Sequence, residues 1–306
     1  MFNFIHSKNL YNTPTIKSIS NINSNINLNS NSNINPNFNI NPNLNITLND
    51  TSKKEKLVLK SSPITLNDTP KNEKDEIYLI YQYYLPNTEK RIKEVQEALS
   101  RNLENQHISK IYILTERHYT DKEFGLENPT DKIIQEVIGR RMIFRDVFTY
   151  VEKFNLKGYI MTSNSDIFFD NSISKLHYTN LDVLQTIISL LRWEYRGEKN
   201  LNDCKLYKPT NKPTNKYNNC SQDSWIFHSN FNFKIPLNSS SDFDIQFGQP
   251  GCDNRLMYVF WKNGFMINND PIMFKTYHCH DDNTPRQYNI EKIKPPHLYI
   301  IPSITY

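Results

Sequence analysis

The chain has 306 residues, a formal net charge of +4 and a sequence pI near 8.6, which is length enough for one large core or two small ones. Lys and Arg (36) are interleaved with nearly as many Asp and Glu (32), so no basic stripe argues for nucleic acid. There is no 18-residue apolar run and no apolar segment behind MFNFIHSKNLYN, which excludes a hydropathy-defined membrane span and a signal peptide and leaves a cytoplasmic protein as the expectation. The four cysteines, Cys204, Cys220, Cys252 and Cys279, form no CxxC pair, which favours free thiols in a reducing compartment over disulfides.

Residues 1–74 read as a low-complexity arm. Asn alternates with Ile, Leu, Ser or Pro from Asn21 to Asn45, and Asn and Pro are poor strand formers despite the period of two. A near-duplicate follows, ITLNDTSKKEK at 46–56 and ITLNDTPKNEK at 64–74. Two copies cannot bury a core as a solenoid does. The arm is expected to be disordered and dispensable for folding and catalysis, and a catalytic domain is expected over 75–306.

From Asp75 the pattern becomes that of a folded α/β protein. Ile77–Tyr81 reads as a strand ending at Gln82-Tyr83-Tyr84, and residues 88–105 carry Ile92, Val95, Leu99 and Leu103 at helical spacing, with Asn87 as N-cap. Residues 108–114 read as a second strand that stops at Thr115-Glu116, and 132–138 as a third. A helix over 141–155 turns Phe144, Val147, Phe148, Val151 and Phe154 inward. The strand from Gly158 then breaks at Ser163-Asn164-Ser165-Asp166, residues that favour turns. This β-α-β-β-α-β order predicts a mostly parallel sheet with helices on both faces. Further on, 172–176 suits a helical turn and 184–193 a buried strand. The repeat KPTNKPTNKY suits a surface loop, 224–228 a strand, 253–261 a helix closed by Gly264, and 272–280 a last strand.

Asp166 sits where a strand leaves its sheet, and in α/β proteins ligands bind at the carboxyl ends of strands. A carboxylate there suits a Mg²⁺ or Mn²⁺ shared with a nucleotide's diphosphate; an Asx-turn would use the same residues without a ligand. Asn164-Ser165-Asp166, Gln222-Asp223-Ser224-Trp225, Gly251-Cys252-Asp253-Asn254 and Thr276-Tyr277-His278-Cys279-His280 follow one another in that order. In this arrangement the chain from Asp75 onward resembles the GT-A fold nucleotide-sugar glycosyltransferases, whose DxD motif reads N-S-D here. The resemblance implies a Rossmann-like GT-A fold, a nucleotide-sugar donor and a glycan or other hydroxyl acceptor. It implies Mn²⁺ or Mg²⁺ bound by Asp166 with a late histidine, His278 or His280, and Asn164 departs from the motif by adding no charge. Both histidines fall on one face of the predicted strand and Cys279 on the other. A zinc site through Cys279 lacks a second ligand pair at the usual spacing.

Asp253 is the expected catalytic base of an inverting transfer, kept ionised by its place at a helix N-terminus; an ordinary N-cap would put the same residue there. Gln82, Tyr83 and Glu116 are expected at the nucleoside, with Tyr83 stacking the base. Arg141 and Arg192 are candidates for the diphosphate. Asp223 and Trp225 are candidates for the acceptor sugar, although a Trp is also at home in a core. Two alternatives stay open. A sugar-phosphate nucleotidyltransferase normally has a Gly-rich loop after the first strand, where this chain reads QYYLPNTEKR. A catalytically inactive sugar-binding or assembly module would not need Asp166 and the histidines together.

Overall fold

Strand-forming and helix-forming stretches alternate along the chain, and the elements follow that rhythm. The computed structural model describes residues 46–49, 56–61, 63–71, 74–207, 221–236, 238–280 and 291–304. The Asn-rich run to Asn45, the KPTNKPTNKY loop and Cys220 lie outside these residues. In chain order the elements are β1 (Ile46–Asn49), β2 (Lys56–Lys60), β3 (Glu76–Gln82), α1 (Glu89–Glu104), β4 (Lys110–Thr115), α2 (Asp121–Phe124) and β5 (Ile133–Val137). Then come α3 (Phe144–Lys153), β6 (Gly158–Ser163), β7 (Ile167–Phe169), β8 (Thr186–Leu190), β9 (Trp193–Tyr195) and β10 (Lys205–Leu206). The last are β11 (Ser224–His228), α4 (Cys252–Lys262), β12 (Met266–Asn268), β13 (Thr276–Cys279) and β14 (His297–Ile301). The helical turn expected over 172–176 is a 3₁₀ segment, Asn171–Tyr178.

The central sheet has seven strands in the order β12-β8-β11-β6-β3-β4-β5. Four of its six pairings are parallel, and β11 alone runs against both neighbours. The mostly parallel α/β architecture expected from the sequence is therefore present. Alternation along each strand divides the apolar side chains between two faces. Leu79, Tyr81, Ile113 and Met161 pack with Val95 and Leu99 of α1. Ile80, Leu114, Ile160 and Trp225 pack with Phe144 and Phe148 of α3 and Leu256 and Phe260 of α4. Gly158 opens β6 at φ +125°, and a Cβ there would meet the Glu76 carbonyl oxygen at 2.2 Å. Only glycine lets β6 start flush against β3.

A second sheet, β10-β9-β13-β7, stands beside the first, and α1 anchors it. Asn102 Nδ2 donates to the Ile167 carbonyl (2.9 Å), its Oδ1 accepts from Phe169 N (3.1 Å), and Asn105 Nδ2 donates to the Phe169 carbonyl (2.9 Å). Three details differ from the sequence reading. The N-cap of α1 is Thr88, whose hydroxyl accepts from Arg91 N, rather than Asn87. The strand expected over 184–193 is broken into β8 and β9, because Leu191 N turns to Asn269 Oδ1 (3.0 Å) and Arg192 turns to buried acids. The last strand is limited to Thr276–Cys279.

The boundary expected at residue 74 also moves. β2 pairs in parallel with β14, β1 pairs antiparallel with β2, and Leu59 is buried in the same core as α4. Leu57-Val58-Leu59 are three consecutive apolar residues, whereas each apolar residue of the Asn-rich run stands between Asn residues. The duplicated ITLN illustrates how context decides: the first copy is β1, whereas in the second Asn67 N donates to the Tyr178 carbonyl (2.8 Å) with no strand formed. Leu59→Ala is accordingly expected to destabilise the protein by ~2–5 kcal/mol, the usual range for emptying a buried leucine site. Chemical denaturation checks this, and an unchanged midpoint would put β2 outside the cooperative fold. No described helix is long and apolar enough to cross a membrane.

Candidate active site

Strand polarity brings the chemistry to one end of the central sheet. The parallel strands β3 and β6 end there, at Gln82 and Ser163, and antiparallel β11 begins there, with Ser224 opposite both Ser163 and Leu190. Gln82, Asn164 to Asp166, Arg192 and Asp223 therefore leave the sheet on the same edge. The second sheet adds the histidines, since His278 pairs with Ile167 of β7 on one side and with Glu194 of β9 on the other. Cys279 N donates to the Asp166 carbonyl (2.8 Å), which fixes the two segments together.

Asp166, His278 and His280 are all buried, and one ligand atom from each lies within 4.8 Å of the others. His278 Nε2 is 3.3 Å from Asp166 Oδ2, and its Nδ1 is 3.4 Å from Glu194 Oε2. Burial would pull the His278 ring down, but Asp166 and Glu194 override it and raise its pKa to about 9. Burial opposes ionisation of Asp166 too, yet His278 and then Arg91 outweigh it and hold this carboxyl well below the usual carboxylate range. Glu194 is likewise held at about 2 against its burial, by His278 and Arg192. One carboxylate and two imidazoles are a suitable donor set for a divalent ion such as Mn²⁺. Two of these residues also contact Arg91: Nη2 donates to Asp166 Oδ2 at 2.8 Å, and Nη1 lies 2.7 Å from His280 Nδ1.

A hydrogen-bonded path leads from this cluster to Asp253. Asn164 Nδ2 donates to Asp223 Oδ1 (2.9 Å), and Asn164 N donates to the Asp223 carbonyl (3.0 Å). The next residue along, Gln222, donates its N–H to Asp253 Oδ2 (3.4 Å). Gly251, at φ +84°, is the N-cap of α4 and leaves Asp253 in the first turn, facing inward. The sequence argument gave the helix N-terminus the leading influence on Asp253, and the structure gives it to burial. Burial is the larger effect, with the Asp223 charge adding to it, and together they raise Asp253 to about 6 against the N–H groups of Asn254 and Gln222. Gln222 Oε1 and Asn254 Oδ1, on either side of Asp253, are buried acceptors with no partner among the described residues.

Three expected roles are corrected by burial. Tyr83 is fully enclosed, edge-on to Tyr119 and Phe124, with its hydroxyl donating to the Glu123 carbonyl (2.6 Å), so its ring has no face left for a base. Trp225 is 1% exposed between Phe144 and Phe247 and is a core residue, not an acceptor platform. Arg192 is buried in ion pairs with Asp223 and Glu194 (2.8 Å for the latter), so it is the counter-ion of the acids rather than a free diphosphate partner. Gln82 is committed to Glu116 (3.0 Å) and to Met142 N (3.0 Å), while Glu116 itself is exposed. Arg141 is exposed beside Gly248 and makes no ion pair among the described residues. Cys204, Cys252 and Cys279 are free and buried. Arg91, Glu94 and Glu194 are the site residues that sequence reasoning missed. In EKRIKE the first two read as solvent-facing helix charge, and only Glu194's place in an otherwise aromatic strand marked it.

Among solved structures, the chain is similar to the mannosyltransferase PcManGT from Pyrobaculum calidifontis in complex with GDP-Man and Mn²⁺. They are 10% identical with a TM-score of 0.46, over 72% of this chain and 61% of that one. It is also similar to GalNAc-T7 with UDP, GalNAc and Mn²⁺, at 11% identity and a TM-score of 0.42, over 72% of this chain and 46% of that one. A CMP:2-keto-3-deoxy-manno-octonic acid synthetase complexed with CTP is 10% identical with a TM-score of 0.34, over 64% of this chain and 90% of that one. The chain thus spans less than two thirds of the length of the two transferases. No protein-family model matches the sequence, and no curated protein matches it. The functional reading rests on the geometry of the site itself.

Proposed function

We propose that the chain is a glycosyltransferase that moves a sugar from a nucleotide-diphosphate donor to an acceptor hydroxyl with inversion. The observation that carries this reading is the pairing, on one sheet edge, of the Asp166–His278–His280 cluster with a buried carboxylate, Asp253, whose pKa is about 6. Asp166 with His278 or His280 would hold Mn²⁺ or Mg²⁺, whose chemistry there is to neutralise the departing diphosphate. Asp253 takes the proton from the acceptor hydroxyl as its oxygen bonds the anomeric carbon. The bond from that carbon to the diphosphate oxygen breaks, and its electron pair leaves with the nucleoside diphosphate. A base with a pKa near 6 is ionised at neutral pH and still basic enough to accept that proton. Gln222 Oε1 and Asn254 Oδ1 are acceptors that a sugar's hydroxyls can satisfy beside it. Arg141, exposed and without an ion pair among the described residues, is the cation offered to the donor's phosphates. A nucleotidyltransferase fits less well, because the β3–α1 connection contains no glycine to cradle phosphates and its Tyr83 is buried in the core.

A screen of nucleotide sugars, with Mn²⁺ present and read by release of UDP or GDP, tests the proposal. At least one donor is expected to be turned over and to raise the melting temperature. Stabilisation by a sugar without nucleotide release would instead mark an inactive sugar-binding module, and no response to any donor would overturn the reading.

A further inference from the structure

A guanidinium stands inside the cluster that the proposed function gives to a divalent ion. Arg91 lies in the first turn of α1, its backbone N–H held by the Thr88 hydroxyl. Its Nη2 donates to Asp166 Oδ2 (2.8 Å), and its Nη1 lies 2.7 Å from His280 Nδ1. A guanidinium has only donors, so Nδ1 of His280 is the acceptor in that contact and its lone pair is engaged. Glu94, one turn along the helix, accepts from the same Nη1, its Oε2 lies 3.5 Å from His280 Nδ1, and the Arg91 side chain is only 17% exposed. A lone pair shared with an N–H cannot also coordinate a metal, and a fixed positive charge at contact distance repels a second cation. Guanidinium does not deprotonate in proteins, so this obstacle persists at every working pH.

We propose that Arg91 is a resident cation that holds Asp166 and His280 in place, and that a divalent ion enters this cluster only by displacing its guanidinium. This inference rests on the metal reading of the cluster but goes further, since metal affinity is then set by a residue that binds no metal. Arg91 keeps the ligands assembled without an ion and makes their affinity for one lower than three such ligands would otherwise show.

The test is Mn²⁺ binding, read as free Mn²⁺ by electron paramagnetic resonance on the full chain without any donor. Arg91→Met keeps the length and apolar stem of the side chain and removes its charge. It is expected to tighten Mn²⁺ binding at least tenfold, and binding that is unchanged or weaker would overturn the proposal. A second measurement needs no variant. Phenylglyoxal modification of Arg91 in the wild-type protein, followed by peptide mass spectrometry, should accelerate when Mn²⁺ is added; an unchanged or slower rate would also overturn the proposal. Asp166→Asn separates the two levels. If it binds Mn²⁺ as well as wild type, the metal reading itself fails. If it abolishes binding while wild type and Arg91→Met bind equally, only the role of Arg91 fails.

Discussion

Asp253→Asn is expected to lose roughly a hundred- to ten-thousandfold in sugar transfer, the usual contribution of a general base, while the fold and nucleotide binding survive. The N-cap of α4 is Gly251 rather than Asp253, and Asn keeps the shape of Asp, so the first turn of α4 stays intact and the Asp166 cluster is untouched. The pH dependence follows from the raised pKa. Only ionised Asp253 can accept a proton, so wild-type transfer should rise with pH through about 6 and then level off, whereas the variant's residual rate should lack that step. Stability moves the other way. A carboxyl whose folded pKa exceeds its unfolded value of 3.8 contributes stability that is present below that value and lost as pH rises through about 6. At pH 8 the buried charge is therefore a burden, and Asp253→Asn should melt at or above the wild-type temperature. A variant with wild-type transfer, or a product that retains the donor's anomeric configuration, would remove Asp253 from the mechanism.

The opposed pH responses of rate and stability at Asp253 could not be read from the sequence, and the reason is general to this site. Residue type and spacing located the strands and helices because β-formers at period two and apolar residues at period 3.6 report directly on which face is buried. They also brought out Asp166 at a strand end and His278 with His280 two residues apart, since alternation puts both rings on one side. They did not reveal how far each side chain is enclosed. Tyr83, Trp225 and Arg192 have chemistry suited to a ligand, yet two fill cores and the third neutralises Asp223 and Glu194. Conversely, Arg91 and Glu94 look like the solvated face of α1 until β7 and β13 pack against that helix and bring Asp166 and His280 to them. Such contacts join residues 75 and 189 positions apart, beyond the reach of any local pattern. β2 was hidden for a related reason: Lys-rich and Asn-rich flanks masked five residues whose partner, β14, lies near the other end of the chain.

Asp166→Asn is expected to lower nucleotide-sugar turnover by at least about a hundredfold, the scale of removing one electrostatic stabiliser of a transition state. Asn164 stands where a first acid would add charge, so Asp166 is the one carboxylate of the three-residue cluster, with Glu194 and Glu94 at its histidines. The same change removes one of the two acids that pair with Arg91 and with His278, leaving Glu94 and Glu194 in place, so melting must be measured alongside turnover. Because the folded pKa of Asp166 is depressed, its pairing contributes stability present above 3.8 and lost as pH falls through the lower folded value; the variant's deficit should therefore be full at neutral pH and shrink in strong acid. EDTA provides the complementary result: turnover should vanish with the chelator and return with Mn²⁺. Wild-type turnover by a folded Asp166→Asn protein would remove the cluster from catalysis. Full turnover in EDTA, with Asp166→Asn still inactive, would assign the charge at this position to the Arg91 guanidinium rather than to an ion.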